Sequence, residues 1–339
     1  MCEKIYRSVL VGCGTVADVH LTALCEGNYA KVTALCDILP EKAKAAMNKH
    51  GINCRIYENY EEMLDKERPD CVHICTPHYL HSKMAAEALS RGINVFLEKP
   101  AAANEEQLSE LLSVEKKSAA KLCVCFQNRF NPSTLLAEKL LTEFGPPIQA
   151  FGSVRWKRDI PYYTQSGWRG KWSTEGGGVM INQAIHTLDL LLCFMGRPEY
   201  ITATCSNHHL KGVIEVEDTC EAMIEFDGGR QGLFYATTAA VKDTQIELQL
   251  ICKEHEIRII GPRVYLDGNP LDVANYFGKE DRRVLVKECY GNSHITLIRS
   301  FYDALSKGEE MPVTLESAAE AVRVLLAAYR SHDERIKIH

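Results

Sequence analysis

The sequence contains no uninterrupted apolar run of about 18 residues, the length that a membrane-spanning helix requires. Near the amino terminus, Arg7 and Ser8 interrupt a short apolar segment, so an export-type apolar core is missing there as well. Internal repeats and low-complexity tracts are also absent. These absences argue against a membrane partner and lead us to expect a cytoplasmic protein.

An excess of positive charge is missing too, because 39 lysines and arginines face 45 aspartates and glutamates, for a net charge of -6. No stripe of basic residues occurs, and the nearest charge cluster, Lys279 to Arg283, is mixed in sign. Nucleic-acid binding relies on such stripes, so we expect no nucleic-acid partner.

Metal-ligand spacing is missing from the 14 cysteines, which are scattered singly along the chain. Cys71 and Cys75 fall in one predicted strand, where their spacing separates them by about 13 Å. Cys123 and Cys125 share a strand face, but no second ligand pair follows them. We therefore expect no metal site, and we interpret the cysteines as small buried apolar residues in a reducing compartment.

What the sequence does contain is typical of a globular protein, with 46% hydrophobic and 25% charged residues. A length of 339 residues exceeds one ordinary core and predicts two domains. Short β-rich runs alternate with amphipathic segments, so residues 1–127 are expected to form an α/β Rossmann domain, a doubly wound parallel sheet. The predicted strands lie at Val9–Val11, Val32–Cys36, Cys71–Cys75, Asn94–Leu97 and Leu122–Cys125, and the predicted helices near 15–26, 40–50, 59–65, 78–91 and 104–118.

A second pattern begins after a helical segment at 131–143, where Gly145-Pro146-Pro147 interrupts the βα rhythm. Residues 128–339 are expected to form an α+β domain with a large, mostly antiparallel open sheet. Gly176-Gly177-Gly178 opens a predicted helix that runs to about Phe194, and another helix is predicted near 316–331. The predicted strands of this domain lie at Ala150–Lys157, Tyr200–Ser206, Cys220–Phe226, Gly232–Thr238 and Ile246–Cys252.

Gly12, Gly14 and Ala17 follow the first predicted strand in the spacing of a dinucleotide-binding fingerprint. The first glycine permits the tight turn, and the second lets the backbone approach pyrophosphate at the start of a helix. Asp37 ends the second strand, where a carboxylate can bind the hydroxyls of an adenine ribose and would repel a 2'-phosphate. Because Ile38 and Leu39 supply no arginine, NAD is favoured over NADP.

Glu98-Lys99-Pro100 closes a buried strand at the edge of the sheet where such folds bind ligands. Partial desolvation and a neighbouring nicotinamide cation would both disfavour the ammonium form of Lys99. Lys99 is therefore a candidate proton carrier, and the alternative interpretation is a surface lysine that follows a strand.

Together with Cys75-Thr76-Pro77 and the segment Asn182 to Asp189, these motifs resemble those of the Gfo/Idh/MocA family of dinucleotide-dependent oxidoreductases. The resemblance implies that Lys99 lies beside nicotinamide and substrate, that a cis bond precedes Pro100, and that a sheet face pairs subunits into a homodimer or homotetramer. The residues expected to contact NAD are Gly12, Gly14, Thr15, Val16, Asp37, Ile38, Thr76, Pro77, His81, Glu98, Lys99, Pro100 and Arg129.

His186 is the second proton carrier that the resemblance implies, and the family has an aspartate four residues before it. Here that position holds Asn182, which can orient a hydroxyl but cannot take its proton. On a helix the two side chains share a face, so Lys99, His186 and Asn182 form the expected catalytic set. Asp189 is a further candidate, as a residue that holds the imidazole tautomer.

All three tryptophans and several cations lie just before the histidine segment. Aromatic faces suit the C–H faces of sugars, and guanidinium groups suit hydroxyls and anions. A loop that only pins the structure is the alternative. The residues expected to contact substrate are Arg155, Tyr163, Trp168, Arg169, Asn182 and His186, and Arg158 is a further cation for an anionic substrate.

We expect an enzyme that oxidises a secondary hydroxyl of a sugar, sugar derivative or cyclitol, with hydride passing to NAD while Lys99 or His186 accepts the proton. Two alternatives remain open at this point. An NAD-retaining glycoside hydrolase would cleave glycosides through transient oxidation without net NADH production. A non-catalytic NAD-sensing regulator would instead capture a protein partner only with cofactor bound.

Overall fold

The structure is a computed structural model in which residues 4–277 and 293–338 are described. The charge cluster Lys279 to Arg283 lies outside the described residues. The chain divides into two units, the first comprising the described residues up to Gln127 and those from Ser293 to Ala318, and the second the remainder. We expected the whole of 128–339 to form the second domain. In the structure, the segment from Ser293 to Ala318 belongs to the first unit instead.

The first unit is built on a parallel six-stranded sheet with the order β3-β2-β1-β4-β5-β6. β4 and β6 are buried along their whole length and β5 along all but its first residue, as the continuous apolar runs predicted. This order reverses direction beside β1, which places the carboxyl ends of β1 and β4 at the crevice where such sheets bind ligands. The strands are β1 (Tyr6–Val11), β2 (Ala30–Cys36), β3 (Arg55–Tyr57), β4 (Cys71–Ile74), β5 (Asn94–Glu98) and β6 (Leu122–Cys125).

The helices of the first unit begin where capping and turn residues follow the strands. Asn59 and Asn104 each accept a hydrogen bond from a backbone N–H of the first turn, which satisfies a donor that the helix itself leaves unpaired. The helices are α1 (Ala17–Glu26), α2 (Pro40–Lys49), α3 (Tyr60–Glu67), α4 (His78–Ser90), α5 (Glu105–Lys117) and α10 (Ser293–Lys307).

The second unit contains a nine-stranded sheet with the order β14-β13-β12-β11-β7-β10-β9-β8-β15. All neighbouring strands are antiparallel except β7 and β10, which are parallel. The expected α/β Rossmann domain and the mostly antiparallel sheet are both confirmed. The strands are β7 (Gln149–Arg155), β8 (Pro198–Ser206), β9 (Thr219–Phe226), β10 (Gln231–Thr237), β11 (Glu247–Ile251), β12 (Glu256–Ile260), β13 (Arg263–Leu266), β14 (Asn269–Leu271) and β15 (Ile336–Lys337).

The helix predicted after Gly176-Gly177-Gly178 begins as a π-helical turn over Met180–Ala184 and becomes α-helical only at Ile185. π-helical turns insert one extra residue and are frequent at functional sites. The helices of this unit are α6 (Pro132–Phe144), α7 (Ile160–Thr164), α8 (Ile185–Met195), α9 (Ala274–Phe277) and most of α11 (Leu315–Ser331).

Among the helices within 4–277 and 293–338, none combines the length and the apolar character that a bilayer crossing would need.

Candidate active site

The turn after β1 can be built only with glycine at position 12. Gly12 has φ +89°, and a Cβ placed on it would lie 2.6 Å from the carbonyl oxygen of Cys75. Its N–H donates to the carbonyl of Cys36 at 2.8 Å, which ties the turn to the end of β2. The chain therefore passes directly over the carboxyl end of β4.

Gly14 differs because, apart from its two neighbours in the chain, no described residue has an atom within 4 Å of the Cβ that it lacks. Its φ is not positive, so neither packing nor backbone strain within the described chain requires glycine there. The missing side chain leaves open space beside the exposed Thr15 and the start of α1, where backbone N–H groups favour an anion. This open cradle fits the pyrophosphate of a dinucleotide.

Asp37 lies at the end of β2 and faces the same turn. Its Oδ2 accepts from the N–H of Cys13 at 2.8 Å, and its Oδ1 accepts from the N–H of Leu39 at 2.9 Å. Ile38, beside it, is 82% exposed. A carboxylate and an exposed apolar face together fit the ribose and adenine of NAD.

His81 lies behind the cofactor edge of the sheet, and our prediction of a direct cofactor contact is not supported by its position. The ring is 1% exposed, with Nε2 2.7 Å from the Thr76 carbonyl and Nδ1 2.8 Å from the Pro100 carbonyl. Burial lowers the pKa of His81, and a neutral ring donates only one of these hydrogen bonds at a time. His81 supports the backbone of the loops after β4 and β5.

Lys99 is half-buried at the end of β5, and the Lys99–Pro100 peptide bond is cis, as the resemblance implied. Thr76 and Pro77 are half-buried at the end of β4, where Pro77 caps α4. Glu98, directly before the lysine, is buried and points into the unit. The predicted lysine therefore stands at the sheet edge, next in sequence to a buried carboxylate.

Glu98 ends a buried chain of hydrogen bonds, which we call the Glu98 cluster. Glu98 Oε1 lies 2.9 Å from His20 Nε2, and His20 Nδ1 lies 3.0 Å from His73 Nδ1. His73 Nε2 lies 2.9 Å from the Tyr302 hydroxyl, which lies 2.7 Å from Ser8 Oγ. Residues from five separate strands and helices thus satisfy one another in the interior.

The charges around Glu98 set its ionisation. Burial raises the pKa of the Glu98 carboxyl, but the hydrogen bond and charge of His20 and the charges of His294 and Lys99 outweigh burial and leave that pKa well below its usual range. Burial lowers the pKa of His294 to about 4 and that of His73 well below its usual value. The cluster therefore holds an ionised carboxylate among neutral imidazoles His73 and His294 at neutral pH.

The only group of three metal-type ligands among the described residues is His20, Glu98 and Cys125, whose ligand atoms lie within 4.8 Å of one another. Burial raises the pKa of the Cys125 thiol well above its usual value, which favours the protonated form that binds metals poorly. The Glu98–His20 hydrogen bond already uses two of the three ligands. We interpret the group as part of the Glu98 cluster.

Arg129 belongs to the second unit and forms a bidentate ion pair with Asp189. Arg129 Nε donates to Asp189 Oδ2 at 2.8 Å, and Nη2 donates to Oδ1 at 2.5 Å. Both oxygens of Asp189 thus bind Arg129, and the role of Asp189 in holding the His186 tautomer stays a prediction. The predicted cofactor contact of Arg129 stays a prediction.

Asn182 lies within the π-helical turn and His186 lies in the first turn of α8. The extra residue of the π turn changes the regular i,i+4 spacing, so the shared helical face that we predicted is not that of an α-helix. Asn182 Nδ2 donates to Glu175 Oε1 at 2.5 Å and approaches the Tyr162 hydroxyl at 3.5 Å. His186 is buried three residues before Asp189.

Two buried glutamates beside this turn were not singled out from the sequence. Glu175 accepts from the N–H of Gly170 at 2.5 Å, and Glu217 accepts from the N–H groups of Gly178 and Met180 at 2.8 and 3.0 Å. Burial raises the pKa of each carboxyl to about 7, despite these donors. A glutamate directly before three glycines was the available signal for Glu175.

Tyr163 is 4% exposed and packs with Leu210, Ile214 and Val216, and its predicted substrate contact stays a prediction. Successive residues of α7 point about 100° apart, and it is Tyr162 that turns toward the π turn. The Tyr162 hydroxyl accepts from Gln183 Nε2 at 3.0 Å. Tyr162 is therefore the member of this tyrosine pair that contacts the π turn.

The remaining predicted substrate residues occupy different environments within the second unit. The Arg169 guanidinium lies 4.5 Å from the Tyr162 ring centroid and 4.8 Å from that of Trp168. Arg155 is exposed at the end of β7, whereas Arg158 is buried in an ion pair with Asp243. The structure thus brings Trp168, Arg169 and Asn182 together around Tyr162.

Comparison with family models matches both units of the chain. A model described as "Oxidoreductase family, NAD-binding Rossmann fold" matches residues 6–126, and one described as "GFO/IDH/MocA C-terminal domain" matches residues 139–261.

Among curated proteins, the chain is similar to D-glucoside 3-dehydrogenase of Escherichia coli, at 30% identity over 67% of this chain and 64% of the relative. The match thus spans less than two thirds of that relative's length. Inositol 2-dehydrogenase of Rhizobium meliloti is 23% identical, over 98% of both chains.

Among solved structures, the chain resembles the WlbA dehydrogenase from Bordetella pertussis in complex with NADH and UDP-GlcNAcA, with a TM-score of 0.85 and 25% identity over 99% of both chains. Levoglucosan dehydrogenase in complex with NADH and levoglucosan has a TM-score of 0.88 at 20% identity over 99% of this chain and 100% of that chain, which shows a shared fold.

Proposed function

Because the chain belongs to the Gfo/Idh/MocA family of oxidoreductases and carries its NAD-binding Rossmann domain, we propose that it oxidises a secondary hydroxyl of a sugar, sugar derivative or cyclitol. The reaction is reversible and uses NAD. The observation that carries this proposal is the open cradle at Gly14 beside Asp37, in the same unit as the half-buried Lys99 at the end of β5.

The second unit supports a polyhydroxylated substrate. Trp168 and Tyr162 offer aromatic faces, Arg169 stacks on both rings, and Asn182 adds an amide. Such a mixture of ring faces and fixed polar groups is suited to sugars, which present C–H faces between hydroxyls. The relatives named for glucoside, inositol and a uronic acid sugar nucleotide point to the same chemical class.

Each residue has a distinct proposed task. NAD, when bound, supplies the acceptor for a hydride. Lys99 accepts the hydroxyl proton, because partial burial and a nicotinamide cation beside it would both disfavour the ammonium form. His186 is the alternative acceptor, and Asn182 orients the hydroxyl without taking its proton. Asp37 favours NAD over NADP through the negative charge that it presents to a 2'-phosphate.

The proposal is tested by a screen of D-glucosides, inositols, levoglucosan and UDP-GlcNAcA with NAD, following NADH absorbance. We expect net NADH production with at least one of these compounds. Lys99→Met lowers kcat by about 100-fold to 10,000-fold, because a positioned proton carrier contributes a factor of this order. The affinity for NAD, measured by calorimetry, stays within about threefold of the wild-type value.

The controls separate this activity from the two alternatives. Lys83→Met changes an exposed lysine of α4 and leaves NADH production unchanged. Glycoside cleavage without net NADH would establish the hydrolase instead, and wild-type turnover in Lys99→Met would remove the lysine from the mechanism. Absence of NAD binding by the folded protein would overturn the whole proposal.

A further inference from the structure

Glu175 is a buried residue whose side chain contacts Asn182, a predicted substrate residue. The side chain is 0% exposed and lies between the loop before the three glycines and the π-helical turn. One carboxylate oxygen, Oε2, accepts from the N–H of Gly170 at 2.5 Å. The other, Oε1, accepts from Asn182 Nδ2 at 2.5 Å. The backbone therefore fixes the carboxylate, and the carboxylate in turn contacts the amide.

This contact decides which way the Asn182 amide faces. An ionised carboxylate can only accept hydrogen bonds, so Asn182 must present its NH2 group to Glu175. The Tyr162 hydroxyl oxygen lies 3.5 Å from the same nitrogen of Asn182, and it accepts a hydrogen bond from the Gln183 side chain. The amide oxygen Oδ1 is consequently held on the opposite side of the Asn182 side chain.

We propose that Glu175 is a positioning residue that locks the Asn182 amide so that Oδ1 accepts a hydrogen bond from a substrate hydroxyl. This inference rests on the proposed function. It gives the site a carboxylate–amide pair, in which Glu175 carries the charge and Asn182 makes the contact. Glu175 itself touches neither substrate nor cofactor.

The protonation state of Glu175 determines whether the Asn182 amide is held in this orientation. Burial raises the pKa of Glu175 to about 7, with the charge of Glu217 adding to burial and the charge of Arg169 opposing it. Tyr163 also faces the carboxyl, and its own pKa is raised by burial, so it is neutral. Protonated Glu175 can donate its O–H to Asn182 Oδ1, which allows the amide to turn over. Substrate binding therefore weakens as the pH falls through about 7.

The first experiment measures KM and kcat between pH 6 and 8 for the panel compound that gives the highest NADH production. In the wild type, KM rises as the pH falls. Glu175→Gln raises KM about tenfold at pH 8, the loss expected for one hydrogen bond to a charged group, and removes the pH dependence of KM. Because Asn182 does not take the proton, kcat changes less than about threefold. Glu199→Gln, the same change at an exposed position in β8, leaves KM and its pH dependence unchanged.

A charge swap provides the second variant. Asn182→Asp alone places two carboxylates in contact and raises KM further than Glu175→Gln does. The double variant Asn182→Asp with Glu175→Gln restores one carboxylate and one amide, and we expect it to recover most of the loss seen in Asn182→Asp.

The outcomes separate the inference from the function on which it rests. A wild type that reduces no NAD with any panel compound overturns the proposed function, and the inference falls with it. An active wild type whose KM and pH profile are unchanged in Glu175→Gln overturns the positioning role alone. Equal KM values in Asn182→Asp and the double variant overturn it as well.

Discussion

Each unit of the molecule buries carboxylates among hydrogen-bond donors, but the two environments act on them in opposite directions. In the first unit, the pKa of Glu98 lies well below its usual value. In the second unit, the pKa values of Glu175 and Glu217 are raised to about 7. Burial disfavours the charged form in all three cases, so the difference must come from the donors.

The donors differ in charge. Glu98 lies against His20 and near His294 and Lys99, whose positive forms attract an anion. Glu217 accepts from two backbone N–H groups and the Tyr329 hydroxyl, all of which are neutral. The three neutral donors of Glu217 therefore do not offset the desolvation of its carboxylate. At Glu98, the hydrogen bond to His20 together with the charges of His20, His294 and Lys99 does offset it. Substitutions in the Glu98 cluster and among the residues around Glu217 can measure this difference between charged and neutral donors.

The largest effect is expected when the carboxylate of each cluster is replaced by an amide. Glu98→Gln lowers the free energy of unfolding by about 1.5 to 3 kcal/mol at pH 7, because it replaces the charged acceptor of the buried hydrogen bond to His20 with a neutral amide. Glu217→Gln costs less than about 1 kcal/mol at that pH, because the amide resembles the protonated carboxyl. Hydrogen exchange of peptides from β5 and from β9 measures the two effects separately.

Equal losses for the two variants would show that the charge of the donors does not distinguish the clusters. Glu221→Gln, at an exposed position of β9, is the matched control and leaves exchange in both peptides unchanged.

The pH dependence of stability should also have opposite signs in the two units. Folded Glu217 binds a proton near pH 7 and the unfolded residue only near 4.5, so acidification from pH 8 to 5.5 stabilises the second unit by about 2 kcal/mol through this residue. Unfolded His294 binds a proton near 6.5 and the folded residue only near 4, so the same change costs the first unit about 1 kcal/mol.

All three tryptophans lie in the second unit, so urea unfolding followed by tryptophan fluorescence reports that unit. Glu217→Gln should reduce the gain on acidification by about 2 kcal/mol and leave the part that Glu175 contributes, while His294→Gln should reduce the loss seen by hydrogen exchange in the first unit by about 1 kcal/mol. A gain that is undiminished in Glu217→Gln would assign it to other groups.

A smaller difference is expected from the tyrosine in each cluster. Tyr329→Phe removes a donor from ionised Glu217 and costs about 2 kcal/mol at pH 8, falling toward 1 kcal/mol at pH 5.5 as the carboxyl becomes protonated. Tyr302→Phe removes the hydroxyl that joins Ser8 and His73 and costs about 1 kcal/mol at both pH values. A pH-dependent cost for Tyr302→Phe, measured by the same exchange experiment, would contradict the neutral state of His73.

The parts of the fold that could be predicted from the sequence are those with strong local patterns. The buried runs at Val9–Val11 and Leu122–Cys125 lie within β1 and β6, because a strand covered on both faces needs continuous apolar residues. The two-residue strand β15 and the three-residue strands β3 and β14 were missed, because so few residues carry no periodicity. The helix α10 was missed as well.

The residues of the candidate site also divide into those that local sequence patterns predict and those that they do not. Gly12 and Asp37 could be predicted because their contacts lie within one βαβ unit, where spacing fixes position. The Glu98 cluster could not, because Ser8 and Tyr302 are 294 residues apart in the chain. Which of Tyr162 and Tyr163 contacts the π turn could not be predicted for a different reason, since the orientation of two adjacent helical residues depends on the core that they pack against.

The return of α10 to the first unit bears on how the protein is synthesised. His294 and Tyr302 leave the ribosome more than 150 residues after Gln127, which at ordinary rates of translation means roughly 10 to 30 s later. During that interval, His20 and His73 of the nascent chain lack Tyr302 and His294, and the surface that α10 will cover is open to solvent. The Rossmann domain, although most of it is made first, therefore completes its interior only after α10 has been synthesised.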